Sequence, residues 1–164
     1  MELLSTERSY LWSLVVLLNV FKFPLKEKQR EFTVTDEQIQ VLFGNLEEII
    51  QVNTFFLNSL VDCFSEWSPT QQISPSLKSL IPFLKIYKHY AINYHPSTKM
   101  YAELVKRNTL KLLFQELSEH PLCAGLQLGA YLILPVQRLP RYVLLLNELI
   151  KNTVETHPDY SGLK

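Results

Sequence analysis

Residues 131–149 read Tyr-Leu-Ile-Leu-Pro-Val-Gln-Arg-Leu-Pro-Arg-Tyr-Val-Leu-Leu-Leu-Asn-Glu-Leu. They decide the fold class, because two prolines (Pro135, Pro140) and three polar residues (Gln137, Arg138, Arg141) stand inside an otherwise apolar helical pattern. At about 100° per residue, Leu134, Gln137, Arg138, Arg141, Leu145 and Glu148 share one face. Leu132, Val136, Leu139, Val143, Leu146 and Ile150 recur on another face and read as its core stripe. Each interior proline costs about 3 kcal/mol relative to alanine, so the surrounding fold has to hold the helix against that penalty. A helix with a packed back, a mixed polar and apolar front and built-in bends has the form of a docking surface. The competing reading is a kinked core helix whose Gln and Arg are simply solvated.

Outward from this stretch the pattern stays helical. Helix one is expected over residues 2–22, with Leu4, Leu11, Leu14, Val15, Leu18 and Phe21 as its stripe and Pro24 stopping it. Lys26 to Thr33 is polar and reads as a loop. Thr35-x-x-Gln38 has the form of a capping box and opens a second helix that continues to Phe64. Ser65 to Ser74 is a turn-rich connection, after which Ser74-Pro75 pairs a cap with a first-turn proline. Pro82 bends or splits the third helix; Leu84, Tyr87 and Ala91 continue inward, and His95-Pro96 ends it. Shorter helices follow over 97–106 and 109–118, and the long helix spans 126–154, broken by Thr156-His157-Pro158-Asp159. No segment alternates with a period of two, so the expected fold class is all-α: an elongated bundle of long, roughly antiparallel helices.

A chain of 164 residues fits one domain with its own core. Sixteen basic residues balance sixteen acidic ones, so no global field favours nucleic acid or an anionic membrane. The apolar run from Leu11 to Phe21 is too short to span a bilayer. Glu2 directly follows Met1, and no small-residue cleavage site follows Phe21, so the run reads as a buried helix rather than a signal peptide. Cys63 and Cys123, both in apolar surroundings, read as free thiols in a reducing compartment rather than a disulfide.

Conventional catalysis has no support in the residues. His89, His95, His120 and His157 include no i, i+4 pair and no His-Glu-x-x-His, so no metal site is expected. Four scattered glycines make no phosphate-cradling loop, and there is no Gly-x-Ser-x-Gly elbow or Cys-His signature. The spacing of Tyr87, Tyr90, Tyr94 and Tyr101 points to core packing rather than a stacking platform.

Leu134 to Leu149 resembles the third signature region of the Dbl-homology domain, the helical exchange-factor module for Rho-family GTPases. Two further segments agree, in order. Glu2-Leu-Leu-Ser-Thr-Glu-Arg-Ser-Tyr10 resembles the family's opening helix, with its Thr-Glu-Arg-x-Tyr core, and Leu42-Phe-Gly-Asn-Leu-Glu-Glu-Ile-Ile50 resembles its second region. The resemblance covers nearly the whole chain. It implies a single Dbl-homology domain over residues 1–164 that promotes GDP release from a Rho-family GTPase by stabilising the nucleotide-free switch conformation. Such a factor needs no cofactor and changes no covalent bond.

The resemblance also implies site residues. Glu7 matches the opening-helix glutamate taken to hydrogen-bond switch one; its plainer reading is an exposed carboxylate in an i, i+4 interaction. Gln137 and Arg141 match the polar pair that faces switch two. Arg138 is either a contact or a residue pairing inside the bundle. Leu134 stands where many members have lysine, which implies an altered GTPase preference or weaker exchange. The family's last helix is expected after Leu163, so the domain reads as truncated there, within a longer cytoplasmic chain carrying a pleckstrin-homology domain. Two rivals remain: a degenerate bundle that docks a GTPase or scaffold without exchange, and an unrelated core-forming bundle.

Overall fold

The computed structural model describes residues 2–65 and 67–164. Glu66, inside the connection expected over 65–74, lies outside the described residues, as does Met1. Among the described residues every regular element is helical, as the periodicity predicts.

Helix α1 (Glu2–Val16) runs through a π turn (Leu17–Lys22) directly into α2 (Phe23–Glu27), so Pro24 does not stop it. The Phe23 amide bonds the carbonyl of Leu18, five residues back. This change of register leaves Pro24 in the first turn of α2, where its missing N–H costs little. The apolar run lies in the core: Leu14, Val16, Leu17, Val20 and Phe21 are buried. Among the described residues no helix is long and apolar enough to cross a membrane.

The capping box forms, with the Thr35 hydroxyl accepting from the Gln38 amide and the Gln38 side chain accepting from the Thr35 amide. It opens α3 (Asp36–Phe43), but the single helix expected to Phe64 is divided, and α4 (Leu46–Ser65) starts anew. The reason is Gly44, at φ 56° and ψ −139°, a conformation that favours glycine. A Cβ there would also meet Asn93 Nδ2 at 3.0 Å.

After α5 (Ser74–Leu80), Pro82 sits in a 3-10 turn (Ile81–Phe83) that splits the segment as expected before α6 (Leu84–Leu104). Pro96 does not end α6. Hydrogen bonds on either side of it, Asn93 Nδ2 to the Val41 carbonyl and Ser97 Oγ to the Leu42 carbonyl, fasten the helix to α3 through the proline. Ala91, expected inward, is exposed, while Tyr87 and Tyr90 are buried. Ser74 is the first residue of α5 rather than its cap. The Asp159 carboxylate, far along the chain, accepts from the Ile73 and Ser74 amides at 2.8 and 3.0 Å instead.

Helix α7 (Asn108–Ser118) lies close to its expected span. The long helix expected over 126–154 is broken at Ile133 into α8 (Leu128–Leu132) and α9 (Leu134–Lys151), with a short α10 (Tyr160–Leu163) near the chain end. The break makes Pro135 the second residue of a new helix, where no intrahelical N–H is needed. Pro140 alone lies in the helix interior. The buried side of α9 is Pro135, Arg138 and Tyr142, whereas Val143, expected in the core, is 57% exposed.

Two apolar clusters form the core. The larger joins Tyr10, Leu14 and Phe21 to Leu42, Leu46, Ile49, Tyr87, Leu110, Phe114 and Tyr131. The smaller joins Leu4 to Phe56, Leu60, Leu80 and Tyr142. Leu4 thus packs low on α4 and Tyr10 high, so α1 and α4 run antiparallel.

Candidate functional site

The site is built where α1 crosses α9. These two helices also run antiparallel: Glu2 meets Arg141, Glu7 meets Arg138, and Ser13 lies toward Leu134. The crossing has a buried layer and a surface layer, each holding one Glu–Arg pair.

In the buried layer, Arg138 Nη2 donates to Glu7 Oε2 at 2.5 Å, with the two side chains 5% and 0% exposed. The guanidinium stacks on Tyr142 and Tyr10, 4.5 and 5.1 Å from the ring centroids, a favourable cation–π arrangement when desolvated. The Tyr142 hydroxyl lies 2.8 Å from Glu7 Oε2 and 2.9 Å from Asn53 Oδ1. Asn53, fully buried on α4, also donates to the Tyr87 hydroxyl at 2.6 Å, and the Tyr87 and Tyr10 hydroxyls meet at 3.2 Å. One polar network therefore ties together α1, α4, α6 and α9. Burial lifts the Glu7 carboxyl above the ordinary carboxylate range, opposed by the charge and hydrogen bond of Arg138 and by Tyr142. Burial, the largest single influence, pulls Arg138 down, but the charges and hydrogen bonds of Glu7 and Tyr142 together outweigh it and leave the guanidinium raised. Burial and the neighbouring Tyr87 and Glu7 push Tyr142 far up, so its hydroxyl stays protonated.

In the surface layer, Arg141 Nη2 donates to Glu2 Oε1 at 2.5 Å, with the side chains 47% and 63% exposed. Beside this pair an open cleft of about 360 Å³ is lined by Ser9, Tyr10, Ser13, Leu134, Gln137, Arg138 and Arg141. The Ser9 and Ser13 hydroxyls donate to the carbonyls of Ser5 and Ser9, one helical turn back. The cleft wall on α1 is therefore short and self-satisfied. Leu144, 58% exposed, continues the outward face of α9 one turn beyond Arg141.

Four of the five residues singled out from the sequence line this cleft: Leu134 half-buried, Gln137 and Arg141 exposed, Arg138 at its base. Glu7 differs, because either sequence reading of it required an exposed carboxylate. It is enclosed instead, its charge taken up by Arg138 and Tyr142. Arg138 takes the second of its two sequence readings, pairing inside the bundle. The exposed carboxylate of the α1 face is Glu2, which the motif reading passed over. Helical spacing offers a signal for it: Glu2, Thr6, Ser9 and Ser13 share one face, and Glu7 points away from that face.

Among the described residues no group of His, Cys, Asp and Glu is placed to hold a metal. Cys63 and Cys123 are free thiols, and burial raises Cys123 above the usual thiol range.

The RhoGEF domain family model matches residues 1–164. The chain belongs to the RhoGEF domain family. This RhoGEF domain is 34% identical over 163 residues to the Dictyostelium discoideum guanine exchange factor for Rac 30, covering 99% of this chain and 10% of that one. It is 30% identical over 165 residues to human FYVE, RhoGEF and PH domain-containing protein 4, covering 99% and 22%. The chain thus spans under a quarter of these relatives' lengths. Among solved structures, the N-terminally truncated linker-DH/PH domains of p115-RhoGEF superpose with a TM-score of 0.89 at 27% identity, covering 99% of this chain and 49% of that one. The DH/PH fragment of PDZRHOGEF in complex with human RhoA superposes with a TM-score of 0.81 at 26% identity, covering 99% and 47%.

Proposed function

We propose that this RhoGEF domain promotes GDP release from a Rho-family GTPase by binding its switch regions across the α1–α9 crossing. Glu2, Leu134, Gln137 and Arg141 make the contacts, and Glu7 with Arg138 forms the brace beneath them. The observation that carries this reading is the exposed Glu2–Arg141 pair at the rim of a cleft, held over a buried Glu–Arg pair on the same two helices. A surface of this kind can release nucleotide without covalent chemistry. Binding the nucleotide-free switch conformation better than the loaded one lowers the barrier to release, and incoming nucleotide reciprocally weakens the complex. Rigidity matters, because a face that deforms to fit both states discriminates between neither.

The relatives named for Rac and the structural neighbour bound to RhoA support a Rho-family partner. The test is release of fluorescent GDP from Rac- and RhoA-type GTPases by this chain and by its Glu2→Ala and Arg141→Ala variants. Acceleration that both variants abolish supports the reading; release unaffected by either removes the α1–α9 face from the mechanism. Leu134 favours a second reading, a docking module without exchange, because it places an apolar group where many members of the family carry a lysine. Binding of nucleotide-free GTPase without accelerated release identifies that case.

We also propose that the domain acts in the cytoplasm within a longer chain bearing a pleckstrin-homology domain. Longer relatives, one of them named for such a domain, support this.

A further inference from the structure

We infer that Tyr142 is a positioning residue for the α1–α9 face: its hydroxyl, seated between Glu7 of α1 and Asn53 of α4 and donating to either, sets the spacing of Glu2 and Arg141. Its role in exchange rests on the reading proposed above; its role in holding the spacing does not.

Tyr142 follows Arg141 directly in α9, so the outward guanidinium and the inward phenol sit on adjacent residues. The phenol oxygen reaches two acceptors at once, Glu7 Oε2 at 2.8 Å and Asn53 Oδ1 at 2.9 Å. A phenol has one proton to donate, so it bonds one acceptor at a time while staying within reach of both. Glu7 is meanwhile gripped by Arg138, one turn before Tyr142 on the same helix. Glu7 is therefore held from α9 by Arg138 throughout, and the Tyr142 proton adds either a second hold on Glu7 or a hold of α9 on Asn53 of α4. Asn53 itself is fixed, its Nδ2 donating to the Ile49 carbonyl at 2.7 Å and to the Tyr87 hydroxyl at 2.6 Å. The ring of Tyr142 adds an edge-to-face contact with Phe56 of α4, centroids 6.0 Å apart. By contrast Glu2 and Arg141 are largely exposed, and an exposed pair holds two helices only weakly. The spacing of the surface pair is thus set from below, through Tyr142.

Tyr87 supplies the control. Its hydroxyl also donates to Asn53 Oδ1, at 2.9 Å, and is also buried, but no hydrogen bond joins it to Glu7. Tyr142→Phe and Tyr87→Phe each delete one buried hydroxyl from Asn53; the first cuts the tie between α9 and α1 at Glu7, the second the Tyr87–Tyr10 contact between α6 and α1, so only the first loosens the α1–α9 pairing.

The experiment pairs two readouts on both variants. In a Cys63→Ser background, spin labels at the exposed positions Ser5 of α1 and Asn147 of α9 report the α1–α9 distance distribution by pulsed electron resonance. Tyr142→Phe is expected to broaden it while Tyr87→Phe leaves it as in the parent; equal distributions in all three proteins overturn the proposal, whatever the exchange activity. In fluorescent-GDP release, Tyr142→Phe is expected to lower the maximal rate at least fivefold with little change in the GTPase concentration for half-maximal rate. Tyr87→Phe is expected to keep the parental rate at a matched loss of melting temperature. Rates that follow melting temperature alike in both variants overturn the link to exchange. If the parent protein does not accelerate release, the function proposed above fails, and the distance distributions still decide whether Tyr142 sets the spacing.

Discussion

Arg138 and Glu7 face each other across 131 residues of sequence and 2.5 Å of space, neither accessible to solvent to any useful extent. A buried pair of this kind adds little net stability over an apolar pair, yet losing one member leaves a stranded charge costing about 3–5 kcal/mol. Two of its atoms, Glu7 Oε1 and Arg138 Nε, have no hydrogen-bond partner among the described residues, so the pair is imperfectly satisfied there. Glu7→Ala and Arg138→Ala are each expected to destabilise the fold by about 3–5 kcal/mol, read as a lowered urea midpoint. The double variant Glu7→Leu/Arg138→Met should recover most of that loss. A Glu7→Ala protein with a parental midpoint would mean the carboxylate does not brace the bundle.

The buried phenols make stability depend on pH at the alkaline end. Burial pushes Tyr87 up to about 12 from 10.0, and Tyr10, Tyr90 and Tyr142 are raised by the same cause. A group whose folded pKa is raised contributes stability that is full below its unfolded pKa and lost as pH rises through the folded value. For Tyr87 the window is 10 to about 12. The melting temperature is therefore expected to fall steeply across that window, with tyrosinate absorbance of the buried rings appearing only together with loss of helical circular dichroism. Removing one titrating phenol, Tyr87→Phe should make the alkaline decline shallower. Full tyrosinate absorbance with the helices intact would show that these rings ionise in place.

The Asp159 side chain makes a long-range tie to the start of α5, 85 residues earlier in the chain. Its carboxylate accepts from the Ile73 and Ser74 amides, and its own amide donates to His157 Nδ1, whose ring reaches the Pro69 carbonyl through Nε2 at 2.8 Å. Asp159→Ala is expected to cost about 0.5–2 kcal/mol, the range for loss of a helix cap. The change should be local: amide exchange should quicken at Ile73, Ser74 and along 157–163 while α1 and α4 stay protected. Unchanged exchange at Ser74 would sink the capping assignment.

Sequence and structure agree on the helical class and on some helix ends, though not at Pro24, Ser74 or Pro96. The Thr35–Gln38 capping box, the division at Pro82 and the helical class all follow from an apolar helix face and local signals at its ends. Gly44 is harder to read, since a glycine within an amphipathic pattern marks a break only where the backbone takes a positive φ, here 56°. The burial of α9 escaped the pattern for a physical reason: the residue at the centre of its inward face is Arg138, and hydrophobic periodicity cannot place a charge inside. For the same reason the motif pointed to Glu7 rather than Glu2. Which carboxylate is enclosed depends on where the α9 arginines lie, and only the antiparallel pairing of the two helices reveals that.

That pairing gives Glu2 and Arg141 two separable roles, holding α1 to α9 and contacting a partner, and a charge swap tells them apart. As an exposed pair they are worth about 0–1 kcal/mol, so Glu2→Arg/Arg141→Glu should melt close to the parent protein, each charge again facing its opposite. If the pair serves only the fold, the double swap restores whatever the single variants lose in GDP release. If the two side chains meet a partner, the swap presents acid where the partner expects base and base where it expects acid. Repulsion at both points adds to the lost hydrogen bonds. The double variant is then expected to release GDP at least as poorly as Glu2→Ala, with its thermal transition intact. Restored release in the swapped protein would confine the pair to the fold and move the partner contact to Leu134, Gln137 and Leu144.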